Sequence, residues 1–460
     1  LAIPLALALI WVSASGYQGL NGQDAHDYWR IARAWTAWCS GDERPTMAEH
    51  PHGYPVLGAL IGWPFGSELI GLRIVSAMSL LVIIFSIRGL LRRHFSPSLT
   101  RDQYVLLALA LSPFLLRYSL VVMSDVPAMA LIVLAFAALL RWHQQQTRPW
   151  LLVPVVFAFV AIGVRLAVAP LVLGMIASII HGRVHQRKQR WLITLMIAAV
   201  VVTVAYTFIP SALLHDLLQR SPLGEWSPQN AFSREQHSDD GVLTYRLPNM
   251  IYVLGVFVHP GFLPIGVLLL PFVRVADLKS MVARTTVWLL GCYLLFIAGM
   301  PFQNDRVLLL ALPFVVVLLY PAFQRAWAFA MDKWPRPVLW VGILAFIHCG
   351  LFVRAMAPFI KQAAVERELA DQVAGLHPQH IYTHGMGGAL SNYCDPVPVT
   401  ELWYGVLDSF PHGALLVVHP ENLALQWKGK PPLINWQRAL LQNAQQVIVR
   451  PDGWVIARIP

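Results

Sequence analysis

Asp24 stands in GQDAHDY (22–28), directly after the first long apolar run, and EHPHGY (49–54) follows with His50, His52 and Tyr54. A carboxylate just outside a membrane span is placed to meet a substrate that is itself held in the bilayer. The polar set on that side also includes Tyr28, Arg73, Arg117, Asp125, Arg165, Asp305 and Arg306. Carboxylates serve as general bases or metal ligands, imidazoles do either job, and guanidinium groups hold phosphate in forked geometry. This is the equipment for transfer from a phosphate ester. A single boundary arginine is equally well read as snorkelling to the interface. Three tight corners on one side, at Arg117, Arg165 and Arg306, each carry one, which favours a shared anionic ligand.

The elements that must position these residues are membrane helices. The chain is 57% hydrophobic and only 13% charged, and its apolar residues come in long uninterrupted runs. A span needs about 20 apolar residues as a helix, and a backbone in lipid must satisfy itself internally. A soluble core does not account for so many runs. The expected spans are 1–16, 68–87, 104–119, 126–140, 150–163, 166–180, 191–209, 250–271, 286–301, 307–322 and 337–354, about 11 transmembrane helices. The first reads as an uncleaved signal anchor, and the start at Leu1 leaves room for a short cytoplasmic leader ahead of it.

Arginine and lysine concentrate in alternate loops, at 88–101, 141–148, 183–190, 274–284 and 325–336, which makes these the cytoplasmic loops. Loops 17–67 and 210–249 carry the acids and face outward, with the N-terminus cytoplasmic. The net charge of +10 thus reflects topology and anionic lipid, and nucleic-acid binding need not be invoked. Segment 55–66, bounded by Pro55, Pro64 and Gly66, is too short to span and reads as an interfacial helix. Stretch 210–249 has the composition of a loop, either a lid or a passive connector.

After 354 the pattern changes. Lys361 to Leu376 is helical, short strands follow, and RPDGWVIARI reads as a hairpin through Asp452-Gly453. The expected architecture is an all-α polytopic membrane domain over 1–354 and a small extracytoplasmic α/β domain over 355–460. Trp403, Tyr404, Trp427 and Trp436 of the latter serve either sugar stacking or, more economically, its core. Cys39 and Cys394 both fall outside, where a disulfide is permitted, and two free thiols are the expectation.

Asp24 and Tyr28, HPHGYPVLGALIGWPFG at 50–66, Arg73 in GLRIVSAMSLL, Ser124-Asp125-Val126-Pro127, GVRLAVAPLVLG from 163 and DRVLLLALPFVVVLLYP from 305 occur in order and at suitable spacing. In this the chain resembles the polytopic GT-C glycosyltransferases, in particular the branch of protein O-mannosyltransferases and lipid A aminoarabinose transferases. Ala25 stands where many relatives have a second acid, and His52 and Gly53 replace their Pro-Leu.

The resemblance implies a GT-C-like fold and inverting transfer of one sugar from a polyprenyl-phosphate donor at the outer face. It makes Asp24 the general base or an acceptor-orienting carboxylate, and Asp125 the second acid. Arg165 and Arg306 are then the leading phosphate ligands, with Arg73 and Arg117 behind them and Tyr28, His52 and Tyr54 lining the substrate. His50 either bonds the phosphate or joins Asp24 and Asp125 around a divalent metal cation; no cofactor is demanded. Asp27 faces another side of a short helix and is read as a decoy. The partners are a lipid-linked donor, membrane lipids and a lipid, glycan or protein acceptor, and the address is a bacterial inner membrane. The competing readings are a transporter or flippase, which places charge near the midplane, and an O-antigen ligase or polymerase, which lacks an aspartate directly after the first span.

Overall fold

The computed structural model describes residues 3–43, 45, 50–95, 99–182, 226–238, 241–333 and 337–460. The helices that build the site are α1 (Ile3–Ala14), α2 (Gly22–Cys39), α3 (Gly53–Gly62), α4 (Glu68–His94), α5 (Leu99–Ala110), α6 (Pro113–Leu120), α7 (Asp125–Gln145), α8 (Arg148–Val164) and α9 (Ala169–Gly182). They are followed by α10 (Met281–Ala298), α11 (Asp305–Lys333, with a 3-10 turn at Leu309–Ala311) and α12 (Pro337–Gly375).

Among the described residues, α4, α7, α10, α11 and α12 are long and apolar enough to cross a membrane, and α5 with α6 make a sixth span bent by 55°. Of the eleven expected spans, several of them short, others appear among the described residues as shorter apolar helices, at Ile3–Ala14, Trp150–Val164, Leu166–His181 and Asn249–Val258. Proline and glycine break the shorter runs. Pro113 has no N–H to continue α5, and Ser112 at the break donates instead to the Phe262 carbonyl at 2.6 Å. The expected span 250–271 is cut into Asn249–Val253, Gly255–Val258 and Gly266–Leu269 by the stretch around Pro260 and Pro264. Span 191–209, the basic residues of 183–190, and Glu49, Asp216, Glu225, Asp239 and Asp240 lie outside the described residues.

The helical core is built from the inward stripes of α4, α7 and α11, where Leu80, Ile83, Phe136 and Phe314 are fully buried. The outer faces of α4 and α10 carry exposed apolar side chains such as Met78, Phe85 and Leu295. A helix apolar all round suits a solvent of lipid. Loop 17–67 is itself helical: α2 is amphipathic, and α3 is the short helix expected at 55–66. Glycines bring α3 hard against α4, since a Cβ on Gly71 would lie 2.0 Å from the Gly58 carbonyl oxygen. This contact fixes Tyr54, whose hydroxyl meets Ser76 Oγ at 2.8 Å.

The helix expected at 361–376 is the continuation of the last span, because α12 runs without interruption from Pro337 to Gly375. Beyond it a five-stranded sheet has the order β4-β3-β5-β7-β6. Its strands are β3 (Ile381–Thr383), β4 (Val399–Glu401), β5 (Leu415–Val418), β6 (Gln445–Val449) and β7 (Val455–Arg458); a separate hairpin, β1 (Glu235–Ser238) with β2 (Gly241–Thr244), precedes them. Strands β3, β4 and β5 are parallel, and β6 and β7 form the antiparallel hairpin expected through Asp452-Gly453. Helix α13 (Gly387–Tyr393) follows β3 and faces α2. Trp427 and Trp436 are buried in the core of this sheet region, whereas Tyr404 is exposed. Cys39 and Cys394 are unpaired.

Candidate active site

Four helix ends meet at one charged cluster. Asp24 sits in the first turn of α2, and Asp125 opens α7, where the helix dipole favours a carboxylate. Arg165 ends α8 in extended conformation. Arg306 lies in the first turn of α11, held by Asn304, whose side chain accepts from the Arg306 N–H at 2.9 Å.

Arg306 is shared between the two acids: its Nη2 lies 2.7 Å from Asp24 Oδ2 and its Nε 3.5 Å from Asp125 Oδ2. Arg165 Nε stands 3.0 Å from the other oxygen of Asp125 and its Nη1 donates to Ser124 Oγ at 3.1 Å. Asp125 is completely buried, and two guanidinium groups compensate its charge. Asp24 keeps 31% of its side chain exposed. Burial acts to raise its carboxyl, but the Arg306 guanidinium, with smaller help from His50 and Arg165, outweighs it and holds Asp24 below the usual carboxylate range.

Tyr28 packs beside the acids. Its hydroxyl meets Ser124 Oγ at 2.8 Å, its ring stands edge-on to Tyr54 at 5.2 Å, and burial raises its phenol. His50 Nε2 lies 3.8 Å from Asp24 and 3.6 Å from Asp27, with its ring 5.0 Å from that of Tyr28. Asp27 is paired with Arg30 at 2.9 Å and has no ion pair to Arg165 or Arg306 among the described residues. His52 accepts from Trp35 Nε1 at 3.0 Å and fastens α3 to α2. Asp305 accepts from the Tyr252 hydroxyl at 3.2 Å.

The third corner arginine, Arg117, and Arg73 of α4 do not join this cluster by any ion pair among the described residues. Arg117 is 7% exposed, and its guanidinium lies within 4.6 Å of the Phe114, Tyr118 and Phe359 rings. Arg73 packs its stem under Gly19, near the buried Tyr17. Ser124 and Ser76, which orient Arg165, Tyr28 and Tyr54, were not singled out as site residues. A serine hydroxyl carries too little pattern in sequence to be found alone.

The metal expectation named Asp24, Asp125 and His50. Guanidinium groups take both oxygens of Asp125 and one of Asp24, and no group of three His, Cys, Asp or Glu residues converges to hold an ion among the described residues. The donor set therefore does not fit a metal as it stands. An apolar cavity of about 280 Å³ opens elsewhere, between α5, α11 and α12, and no predicted site residue lines it.

Residues 49–209 match the model of the dolichyl-phosphate-mannose-protein mannosyltransferase family. The fold is similar to that of ArnT from Cupriavidus metallidurans in the apo state, with TM-score 0.61 and 16% identity over 100% of this chain and 97% of that one. The same protein bound to undecaprenyl phosphate matches with TM-score 0.59 and 15% identity, over 100% and 98%. The family match covers residues 49–209 of the 460, and over the whole chain the likeness to these structures is one of fold. A further structure, the archaeal oligosaccharyltransferase AglB from Archaeoglobus fulgidus in complex with an inhibitory peptide and a dolichol-phosphate, is similar in fold, with TM-score 0.51 and 12% identity over 99% of this chain and 74% of that one. No curated protein matches the sequence. The apolar helices and the ArnT-like fold fit a multi-pass membrane protein.

Proposed function

We propose that this enzyme moves one sugar, with inversion, from a polyprenyl-phosphate donor to an acceptor at the outer face of a bacterial inner membrane. The observation that carries the reading is the convergence of Asp24, Asp125, Arg165 and Arg306 from four helices through ion pairs of 2.7 to 3.5 Å. An acceptor hydroxyl attacks the anomeric carbon from the face opposite the phosphate. The new C–O bond forms as the bond from the anomeric carbon to the phosphate oxygen breaks. The hydroxyl proton passes to Asp24, and the electron pair leaves with the polyprenyl phosphate.

The leaving phosphate needs positive charge already in place and shielded from water, where such stabilisation is largest. Arg165 and Arg306 supply it, Arg165 being only 11% exposed. A phosphate that engages Arg306 also weakens that residue's hold on Asp24, which makes the carboxylate a stronger base once the donor has bound. The lipids bound in the similar structures support the donor class: ArnT is seen with undecaprenyl phosphate and AglB with a dolichol-phosphate. The N-terminus is cytoplasmic, and the site and the region after 354 are extracytoplasmic, in this reading. The acceptor is a lipid, glycan or protein hydroxyl.

The test is mass spectrometry of lipid-linked and envelope glycans in cells with the gene, without it, and with Asp24→Asn. A sugar modification that is lost with the gene and not restored by the variant supports the proposal. An unchanged glycan profile on deletion overturns it.

A further inference from the structure

Helix α2 carries Asp24 on one side and a second polar network on the other. Residues of an α-helix advance roughly 100° apiece, so Asp24, Tyr28 and Ile31 occupy one arc while Gln23, His26 and Arg33 occupy another, centred about 150° away. The first arc faces the ion cluster. The second faces the sheet region at the end of the chain.

The contacts across that second face are polar and largely buried. His26 is 1% exposed and its Nε2 stands 3.1 Å from Glu366 of α12, itself 3% exposed. Asn392 of α13 donates to the His26 carbonyl at 3.0 Å and accepts from the Arg33 guanidinium. Gln23 Nε2 donates to Glu401 Oε1 at 3.0 Å. Glu401, at the end of β4, also accepts from the Gly387 N–H at 2.6 Å and the Gly385 N–H at 3.1 Å. The glycine-rich turn after β3 is thus closed on a carboxylate of its own chain, and the same carboxylate reaches α2. The fit is tight as well as polar, since a Cβ on Gly388 would meet the His26 Cβ at 3.0 Å.

We infer that Glu401, with Glu366 and Asn392, is a positioning residue of the transferase site: it clamps the back of α2 and so sets the placement of Asp24 against Arg306. This rests on the function proposed above for Asp24. Three buried partners on one face, Glu366, Asn392 and Glu401, cannot all be kept if α2 slides or turns, because each buried polar group left unpaired is costly. A catalytic base shifted by about 1 Å loses on the order of a hundredfold in rate. The clamp does not touch Arg165 or Arg306, so phosphate binding is left to α8 and α11.

The experiment compares the full-length wild type with Glu401→Ala, Glu401→Gln and Gln23→Leu, the last leaving the sheet region intact. Three quantities are read: formation of the gene-dependent glycan, binding of undecaprenyl phosphate to the purified protein, and amide hydrogen exchange in α2. Glu401→Ala and Gln23→Leu are expected to lower glycan formation about ten- to a hundredfold and speed exchange in α2, with binding of the lipid phosphate within about twofold of wild type. Glu401→Gln, which keeps an acceptor for Gln23, is expected to retain most of the rate. Wild-type rates and exchange in Glu401→Ala and Gln23→Leu overturn the clamp, as does a loss confined to lipid binding. A wild type that makes no glycan overturns the functional reading instead, and the exchange measurement still decides whether α2 is clamped.

Discussion

Two carboxylates border α2 and are pushed in opposite directions. Asp24 faces Arg306 and is held below the ordinary range, while Glu401 is pushed up to about 7, by burial first, against the hydrogen bonds of Gly385, Gly387 and Gln23. Glu401 is 9% exposed and Asp24 retains more open surface, but the larger difference is in the partner. A full positive charge within contact offsets the loss of water; amide dipoles alone do not. One side of the helix is therefore arranged to keep a charge in place for chemistry, and the other uses a carboxylate as an acceptor that tolerates a proton.

The largest test removes the charge on the chemical side. Asp24→Asn keeps the shape but cannot take a proton, and turnover is expected to fall roughly a hundred- to ten-thousandfold, the usual range for loss of a general base. Binding of undecaprenyl phosphate should remain close to that of the wild type. Normal turnover in a chemical assay would remove Asp24 from the mechanism. Arg306→Ala comes next. In the proposed mechanism it takes away a charged phosphate ligand worth about 1.5–3 kcal/mol, and affinity for undecaprenyl phosphate is expected to fall roughly ten- to a hundredfold. It also leaves Asp125 with one guanidinium, so thermal stability should fall too; affinity equal to wild type, measured by ligand titration, would reduce Arg306 to a partner of Asp125.

Much of this cluster was legible in the sequence, and the reason lies in how the residues are placed. Asp24, Asp125, Arg165 and Arg306 each stand at the end of an apolar run, where a charged residue has few places to go but a common rim. The same logic named Arg117 and Arg73, which the fold uses differently. Position at a corner does not reveal whether a guanidinium meets a carboxylate or a set of rings, because Phe114 and Tyr118 of its own helix are joined only in the fold by Phe359 of the distant α12. The back of α2 was illegible for a related reason. Glu366, Asn392 and Glu401 lie more than 300 residues from Gln23 and His26, on elements that read as an independent unit. The break-up of 250–271 was visible as Pro260 and Pro264, whose weight was hidden by a continuous apolar average.

Smaller effects sharpen the contrast between the two kinds of charge. Arg117→Ala forfeits stacking worth about 0.5–2 kcal/mol and should lower the melting temperature by a few degrees, with lipid-phosphate binding unchanged. A clear loss of binding would return Arg117 to the site. For Glu401 the sign follows from the upward shift. The folded protein holds this proton more tightly than the unfolded chain, so its contribution is fully present below the ordinary value of 4.5 and is lost as pH rises through about 7. Wild type should therefore lose melting temperature over that window relative to Glu401→Gln. Asp24 has the opposite sense: its pairing stabilises above the ordinary carboxylate range and fails as pH falls through its depressed value. Parallel melting curves for wild type and Glu401→Gln across the window would show that burial does not govern Glu401.

The smallest expected effect is on divalent ions. A metal at this site would have to displace guanidinium nitrogens that already lie 2.7 Å from Asp24 and 3.0 Å from Asp125. Its service, positive charge at the departing phosphate, is one that the proposed mechanism assigns to Arg165 and Arg306. Treatment of the purified enzyme with EDTA should then leave both transfer and binding of undecaprenyl phosphate within about twofold of the untreated protein. A strong loss reversed by added Mn²⁺ or Mg²⁺ would mean that donor binding parts Arg306 from the acids far enough to admit an ion. The charge that holds Asp24 low would then differ between the free and the loaded enzyme.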